Sequence, residues 1–409
     1  MNIVLEPGAA ALLDELHRAG FGAYAVGGCV RDSLLGLAPH DWDLCTAARP
    51  GQVMELFGED RCIPTGLQHG TVTVKRDGKL YEITTFRTEG RYSDGRHPDS
   101  VAFVPDLRED LARRDFTINA MAYSAEEGLC DPFGGREDLA RGMVRAVGEP
   151  LRRFGEDALR ILRLYRFAAR FGFAIDEATE AAAKQLAAHL DCVSAERIEE
   201  ELNKLLAAPQ PGAYLEPEVL AFVLPELPPE ELTKARRRID ALPAGTEQVS
   251  ARWAALLLPL GETGARKALK RLKCSNARID GAAALVRECG EKTPDTLDKC
   301  DLRLQAKRLL GKYDLHTVRQ LTALWMALAP EEKASFDALR AEAEALTAQG
   351  VCCRISQLAV NGRDLMAAGA APGPGLRRVL EALLEEVITG RLPNEKTELL
   401  AFAAGFSAS

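Results

Sequence analysis

The spacing of apolar and polar residues changes along this chain near residue 140. Before it, short alternating runs are separated by turn signals. Tyr24-Ala25-Val26 is a short apolar strand that runs into Gly27-Gly28, and a helix is expected from about Cys29 to Leu35, stopped by Gly36. Asp41 to Thr46 alternates like a strand, and Pro50 is placed to open a helix through about Phe57. Gly70 to Lys75 alternates β-branched residues, Asp77-Gly78 marks a turn, and Leu80 to Arg87 alternates again, which predicts a β-hairpin. Glu89 to Ser100 is polar and glycine-bearing and reads as a mobile loop.

From Gly148 onward the period becomes helical, clearly so over Phe154–Phe171 and Ala195–Leu206, and strand signals become scarce. Pro209–Pro217 and Pro225–Pro229 are proline-rich joints, Gly369–Gly375 is a loop, and Leu376 to Ile388 is an amphipathic helix. The pattern predicts an α+β protein with a small α/β head and a long all-helical remainder. We divide it into a head (1–140), a neck (141–207), a body (208–350) and a tail (351–409).

Composition narrows the class. Of 409 residues, 47% are hydrophobic and 27% charged, which is ordinary globular material. No run approaches the roughly 20 apolar residues a membrane span needs, and Met1 to Gly8 lacks the features of a signal peptide. The ten cysteines never form C-x-x-C and have no zinc-like spacing with histidine. They read as reduced thiols in a cytoplasmic protein. The net charge of −8 argues against a polyanion ligand, but positive charge is clustered. Arg266, Lys267, Lys270, Arg271, Lys273 and Arg278 lie in one run without an acid, Arg236–Arg238 form a second knot, and Arg303, Lys307, Arg308 and Lys312 a third. Such runs are commonly solvated helix faces. Following a nucleotide-type site, they point to phosphate contacts.

The head carries that site. On a strand, Asp41 and Asp43 share a face, and two close carboxylates repel unless a cation sits between them. Mg²⁺ takes one or two carboxylates plus phosphate oxygens. A surface Asp-x-Asp would read the same in isolation, but here Gly27-Gly28 and a helix opening with Arg31-Asp32 precede it, and glycine turns let backbone N–H groups approach a phosphate. Glu82, on the hairpin, offers a third carboxylate, as a ligand, a base, or simply a surface residue.

These segments resemble a known family. Ala25-Val-Gly-Gly-Cys-Val-Arg-Asp32 with Asp41-Trp-Asp-Leu44 is similar to the signature of the nucleotidyltransferase superfamily, and more narrowly of the class II tRNA nucleotidyltransferase and bacterial poly(A) polymerase family. Arg113-Arg-Asp-Phe-Thr-Ile-Asn-Ala120 resembles its ribose motif, Asp131-Pro-Phe-Gly-Gly135 its interdomain motif, Glu156-Asp-Ala-Leu-Arg160 its base-recognition motif and Glu196-Arg-Ile198 its helix-supporting motif. Asn361-Gly-Arg-Asp-Leu365 is similar, less specifically, to longer bacterial members. The resemblance implies a polymerase β-like head on an elongated helical neck, body and tail. It also implies template-independent addition of C, C and A to the 3′ end of tRNA from CTP and ATP, with Asp41 and Asp43 holding Mg²⁺ in catalysis; Glu82 stays beside them as a catalytic candidate read from its place on the hairpin. Gly27, Gly28, Arg31, Arg114, Asp115, Asn119, Asp157, Arg160 and Arg163 would bind the nucleotide.

Each motif has a physical rationale. Asp115 and Asn119, four apart on a helical turn, can accept from and donate to a ribose 2′-OH. Asp157 and Arg160, three apart on one helix face, pair an acceptor with a donor. That matches the exocyclic amine and ring nitrogen shared by cytosine and adenine, and mismatches uracil and guanine. Glu156 can orient Arg160. Arg160, Arg163, Arg166 and Arg170 would repel one another on one helix, a cost that a polyanion relieves, so Arg163 and Arg153 are expected at the triphosphate or RNA end.

The alternatives are an A-only or C,C-only enzyme, a poly(A) polymerase, a small-molecule nucleotidyltransferase and an inactive RNA-binding scaffold. Pro64–Thr71 lacks the basic stretch of the poly(A) polymerases, and Thr88–Pro98 keeps a full loop, with Glu89, Arg91, Asp94 and Arg96, where C,C-only enzymes lack part of one. Both Asp41 and Asp43 are present, against a scaffold. The oligomeric state, monomer or homodimer, is left open.

Overall fold

A computed structural model describes residues 3–90, 101–291 and 301–406. The chain forms two compact units, 1–229 and 230–409, which meet in sequence at the second proline-rich joint.

The first unit opens with α1 (Pro7–Arg18), β1 (Ala23–Val26), α2 (Gly28–Leu34), β2 (Leu44–Thr46), α3 (Pro50–Phe57), β3 (Cys62–Gly66), β4 (Thr71–Arg76) and β5 (Lys79–Thr85). A strand pair, β6 (Arg87–Glu89) with β7 (Val101–Phe103), follows, then α4 (Leu107–Ala112), β8 (Ala122–Ser124), β9 (Gly128–Cys130), α5 (Gly135–Arg141) and β10 (Met143–Val144). The remainder is α6 (Pro150–Glu156), α7 (Leu159–Phe171), β11 (Ala174–Ile175), α8 (Glu177–Gln185), α9 (Ala195–Leu206) and α10 (Pro217–Val223).

Seven strands form one sheet in the order β3-β4-β5-β2-β1-β8-β9, antiparallel except for the β2–β5 pair. The expected hairpin is β4–β5. Its turn has φ of +48° at Asp77 and +77° at Gly78, the left-handed pair that matches strand twist in a two-residue loop. Tyr24, Val26, Cys45, Phe86, Leu111 and Ala122 pack a core on β1, β2 and β8. That core anchors the rear of the strands whose ends carry the site.

Three local expectations change. The regular part of β2 begins at Leu44, so Asp41–Asp43 precedes the ladder, and only the Asp43 carbonyl, accepting from the Val26 N–H at 2.9 Å, extends it. The segment expected to be a loop from Glu89 begins inside a strand, because Arg87–Glu89 pairs with Val101–Phe103, and Arg91 to Ser100 lies outside the described residues. The helix expected over Phe154–Phe171 is two helices. Asp157 is extended (φ −145°, ψ 106°), so it ends α6, and its carboxylate accepts the Leu159 N–H at 3.0 Å and so caps the first turn of α7.

The second unit is helical: α11 (Leu232–Asp240), α12 (Val249–Leu257), α13 (Gly261–Arg271), α14 (Asn276–Glu291), α15 (Leu302–Lys312), α16 (Leu315–Leu328), α17 (Lys333–Ala348), α18 (Gly362–Ala367), α19 (Pro374–Ile388) and α20 (Lys396–Phe406). Arg252, buried on α12, donates to the Leu242 carbonyl at 2.9 Å beyond the end of α11. Toward the C-terminus, Val360, Leu365, Leu383 and Leu399 close a small core of their own. No helix among the described residues is long and apolar enough to cross a membrane.

Candidate nucleotide-binding cleft

A cleft of about 440 Å³ opens in the first unit, lined by Gly27, Gly28, Arg31, Asp43, Arg113, Arg114, Asp115, Asn119, Asp157, Arg160, Arg163, Arg166, Phe167, Arg170 and Arg197. Ten of the sequence-predicted site residues line this cleft. The other two, Asp41 and Glu82, do not. Asp41 lines a second cavity, of about 450 Å³, with His40, Trp42, Lys79 and Tyr81.

Gly27 begins α2 with φ +77° and ψ −123°, backbone that a side chain would strain. A Cβ there would stand 3.0 Å from the Arg114 Nη1. Close approach to this turn therefore requires glycine. Arg31 is buried, donates to Asp32 Oδ1 at 2.8 Å and to the Asn119 Oδ1, and lies 4.9 Å from the Phe171 ring centre and 5.2 Å from that of Phe167. Arg114 pairs with buried Asp110 at 3.3 Å, and its Nε–H has no acceptor among the described residues.

Asp115 stands just before a 3₁₀ turn, Thr117–Asn119. Its Oδ2 accepts from Arg163 Nε at 2.8 Å and Nη2 at 2.6 Å, and its Oδ1 accepts from Asn119 Nδ2 at 3.0 Å. Burial alone would push its pKa up. The charge of Arg163 and the Asn119 amide outweigh it, and the carboxyl is held well below the usual range.

Asp157 and Arg160 line the cleft from either side of the helix break. Asp157 Oδ1 accepts the Leu159 N–H at 3.0 Å, and Oδ2 accepts from Arg197 Nη2 at 2.8 Å. Arg160 Nη1 donates to Glu156 Oε2 at 2.7 Å and to the Arg153 carbonyl at 3.0 Å, and its Nη2 donates to the Arg113 carbonyl at 3.2 Å. Glu156 orients Arg160 as the sequence suggested. The i,i+3 face does not exist, because Asp157 is not helical.

The arginine ladder of α7 is also corrected. Arg160 meets Glu156 and Arg163 meets Asp115. Arg166 Nε lies 2.6 Å from a Glu201 carboxylate oxygen, and Arg170 Nη2 lies 3.1 Å from Asp32. Acids on other elements absorb the repulsion that seemed to need a polyanion. Arg153 does not reach the cleft: it is buried behind the wall.

Two cleft residues were missed from sequence. Arg197, on α9, was seen only as part of a supporting motif. Phe167 gathers Arg31, Arg163 and Arg166 around one ring, at 5.2, 5.4 and 4.0 Å. Its only sequence signal is its place one turn past Arg163, among arginines spaced by three and four.

The cleft at Asp43, with Asp41 and Glu82 just outside it, is built differently. Asp41, Asp43 and Glu82 have no side-chain hydrogen bond or ion pair among the described residues. Leu44 pairs with Ile83 across the parallel β2–β5 ladder, so Asp43 and Glu82 are neighbours. Burial, then the charge of Glu82, push the Asp43 pKa up; Arg114 pulls it down and Asp41 adds a smaller push. Among the described residues, no three carboxylate, imidazole or thiol groups converge to hold a metal unaided.

Three family models match successive parts of the chain. The Poly A polymerase head domain family matches residues 23–145, the "Probable RNA and SrmB- binding site of polymerase A" family residues 172–228, and the "tRNA nucleotidyltransferase domain 2 putative" family residues 245–403. The CCA-adding enzyme of Limosilactobacillus fermentum is 38% identical over 96% of this chain and 95% of its own length. That of Latilactobacillus sakei is 39% identical over 96% of each.

The chain belongs to the CCA-adding enzyme family.

The Bacillus stearothermophilus CCA-adding enzyme, solved in complex with CTP, superposes with a TM-score of 0.81 at 34% identity over 99% of this chain and 98% of that one. The nucleotidyltransferase reading and the architecture of a mixed-sheet head followed by helices are thereby both met. Nucleotidyltransferases of this family are generally metal-dependent.

Proposed function

We propose that this chain adds C, C and A to the 3′ end of tRNA from CTP and ATP, releasing pyrophosphate, without a nucleic-acid template. The observation that carries the reading is that an acceptor, Asp157, and a donor, Arg160, line the same cleft as Asp43. A carboxylate beside a guanidinium complements the amine and ring nitrogen of cytosine and of adenine, and opposes the carbonyl of uracil and guanine.

In this reading the triphosphate lies against Gly27-Gly28 with Arg114 beside it, and Asp115 and Asn119 meet the ribose 2′-OH. Two unpartnered carboxylates, Asp41 and Asp43, with Glu82 adding negative field beside them, are a donor set suited to Mg²⁺, which takes few protein ligands and completes its shell with phosphate oxygens and water. The metal, when bound, neutralises charge developing at the α-phosphorus as the RNA 3′-OH attacks and pyrophosphate leaves. The chain's own residues hold the base and ribose still for that attack and keep the arginines paired until the nucleotide arrives. We assign recognition to the head and neck (1–140 and 141–207), and the grip on tRNA phosphates to the body and tail (208–350 and 351–409). Lys267 and Lys270 on α13 support this grip, being exposed and without an acid partner among the described residues. The place of action is the cytoplasm.

The test is incorporation from each labelled NTP into tRNA transcripts ending before the first C, the second C and the A, with Mg²⁺, beside Asp43→Ala. Stepwise C, C, A addition that stops and is lost in the variant is expected. Addition of A alone, long A tails on any RNA, or no incorporation would each overturn the reading.

A further inference from the structure

Arg153 is a buried cation that the cleft does not use. Its side chain is 8% exposed, and burying a guanidinium is costly unless its N–H groups find acceptors. They do. Nη1 donates to Glu156 Oε2 at 2.6 Å and to the Arg113 carbonyl at 3.0 Å, Nη2 donates to the Ala112 carbonyl at 2.6 Å, and Nε donates to the Val147 carbonyl at 3.3 Å. Two of these acceptors are also held by Arg160: Glu156 Oε2 at 2.7 Å and the Arg113 carbonyl at 3.2 Å. The two guanidiniums thus share one carboxylate oxygen and one carbonyl. The Ala112 and Arg113 carbonyls close α4, where partial negative charge collects, and the next residues, Arg114 and Asp115, are cleft wall.

We propose that Arg153 is a positioning residue for base selection: through the acceptors it shares with Arg160, it fixes the plane in which the Arg160 guanidinium meets the nucleobase and ties that plane to the ribose-side wall at Arg113–Asp115. This rests on the base-reading role given to Arg160 above. Exposed Arg152 reaches only the other oxygen of Glu156, Oε1, at 3.2 Å, so the Oε2 that orients Arg160 is kept in place by buried Arg153 and Arg160 together. A simple staple between α4 and α6 would affect every nucleotide alike. A positioning residue shifts the preference among bases.

The experiment measures equilibrium binding of CTP and UTP to the full chain, which needs no turnover. The variants are Arg153→Lys and Arg153→Met, each also combined with Arg160→Lys. The Lys variant keeps charge and length and loses the shared geometry, so it carries the test if the Met variant fails to fold. The CTP-over-UTP preference should fall about tenfold in Arg153→Lys, measured well below its own melting temperature, and this fall should disappear in the Arg160→Lys background, as coupled neighbours require. Glu156→Gln should give a similar loss that does not add to that of Arg153→Lys. Equal weakening of CTP and UTP, or a loss of preference that persists undiminished in the Arg160→Lys background, would overturn the proposal and leave base reading by Arg160 intact. A wild-type chain that binds UTP as tightly as CTP would overturn both.

Discussion

The two ends of one cleft follow opposite electrostatic rules. At the end assigned above to the base and ribose, charge is already matched within the protein: Asp157 with Arg197, Arg160 with Glu156, Arg163 with Asp115. At the Asp43 end, Asp43 in the cleft and Asp41 and Glu82 just outside it have no side-chain partner among the described residues. Selectivity needs donors and acceptors whose directions are settled in advance, and paired charges supply that. Phosphoryl chemistry needs a site completed by the cation and phosphates it works on, and unpaired carboxylates supply that. Substitutions should therefore separate rate from choice according to the end they touch.

The largest expected effect is at the unpaired end. Asp43→Asn should lower kcat on the order of 10³-fold, with CTP-over-UTP preference retained in single-turnover assays; loss of preference instead of rate would break the division. At the paired end, Asp115→Asn leaves Arg163 facing a neutral amide. Losing one partner of a buried pair costs roughly 3–5 kcal/mol, reduced here to about 2–3 because a third of the Arg163 side chain is exposed, and urea midpoints measure it. This contribution also depends on pH. The Asp115 pKa is depressed in the fold, so its stabilisation is full at neutral pH and is lost as pH falls below about 4, the ordinary carboxylate range. The Asn variant should lack that part of the acid limb in a pH series of melting temperatures.

A finer separation comes from Asp157→Asn. Asparagine caps a helix about as well as aspartate, so only the ion pair with Arg197 is lost and the melting temperature should fall less than in Asp115→Asn, while the preference for CTP over UTP falls by about 10- to 100-fold in competition assays. The smallest effect lies outside the cleft. Lys267→Gln with Lys270→Gln should weaken tRNA binding a few-fold at ~0.15 M salt and reduce the slope of log K against log salt by about 1–2. The choice of base should not change, and a change would tie α13 to the cleft.

Much of the head was legible in the sequence because its signals are local. Asp77-Gly78 gave the hairpin turn, Gly36 the end of α2 and Pro50 the start of α3, each within a residue or two of where the structure has them. The residues expected to bind the nucleotide were legible as motifs, and the structure gathers them in one cleft. What escaped was what depends on distant partners. The ladder on α7 looked repulsive because Asp32, Asp115 and Glu201, which neutralise three of its arginines, lie from 35 to 138 residues away in sequence. The break at Asp157 escaped because the residues on both sides of it suit a helix. An aspartate three before an arginine is as compatible with a cap as with a helix face. The β6–β7 pair escaped because its strands are three residues each, separated by a long polar stretch.

The cap at Asp157 has a consequence for inheritance. One oxygen of that carboxylate starts α7 and the other faces Arg197 in the cleft, so under the proposed function a single side chain serves both the helix and the reading of the base. Most replacements that spoil the reading also remove a helix cap, at about 1 kcal/mol. In a marginally stable protein that loss lowers the amount of folded enzyme a cell retains. Careless versions of this enzyme therefore tend to be scarce ones, and fidelity is guarded by proteolysis as well as by chemistry. Asparagine is the gap in that protection, since it keeps the cap while changing the acceptor.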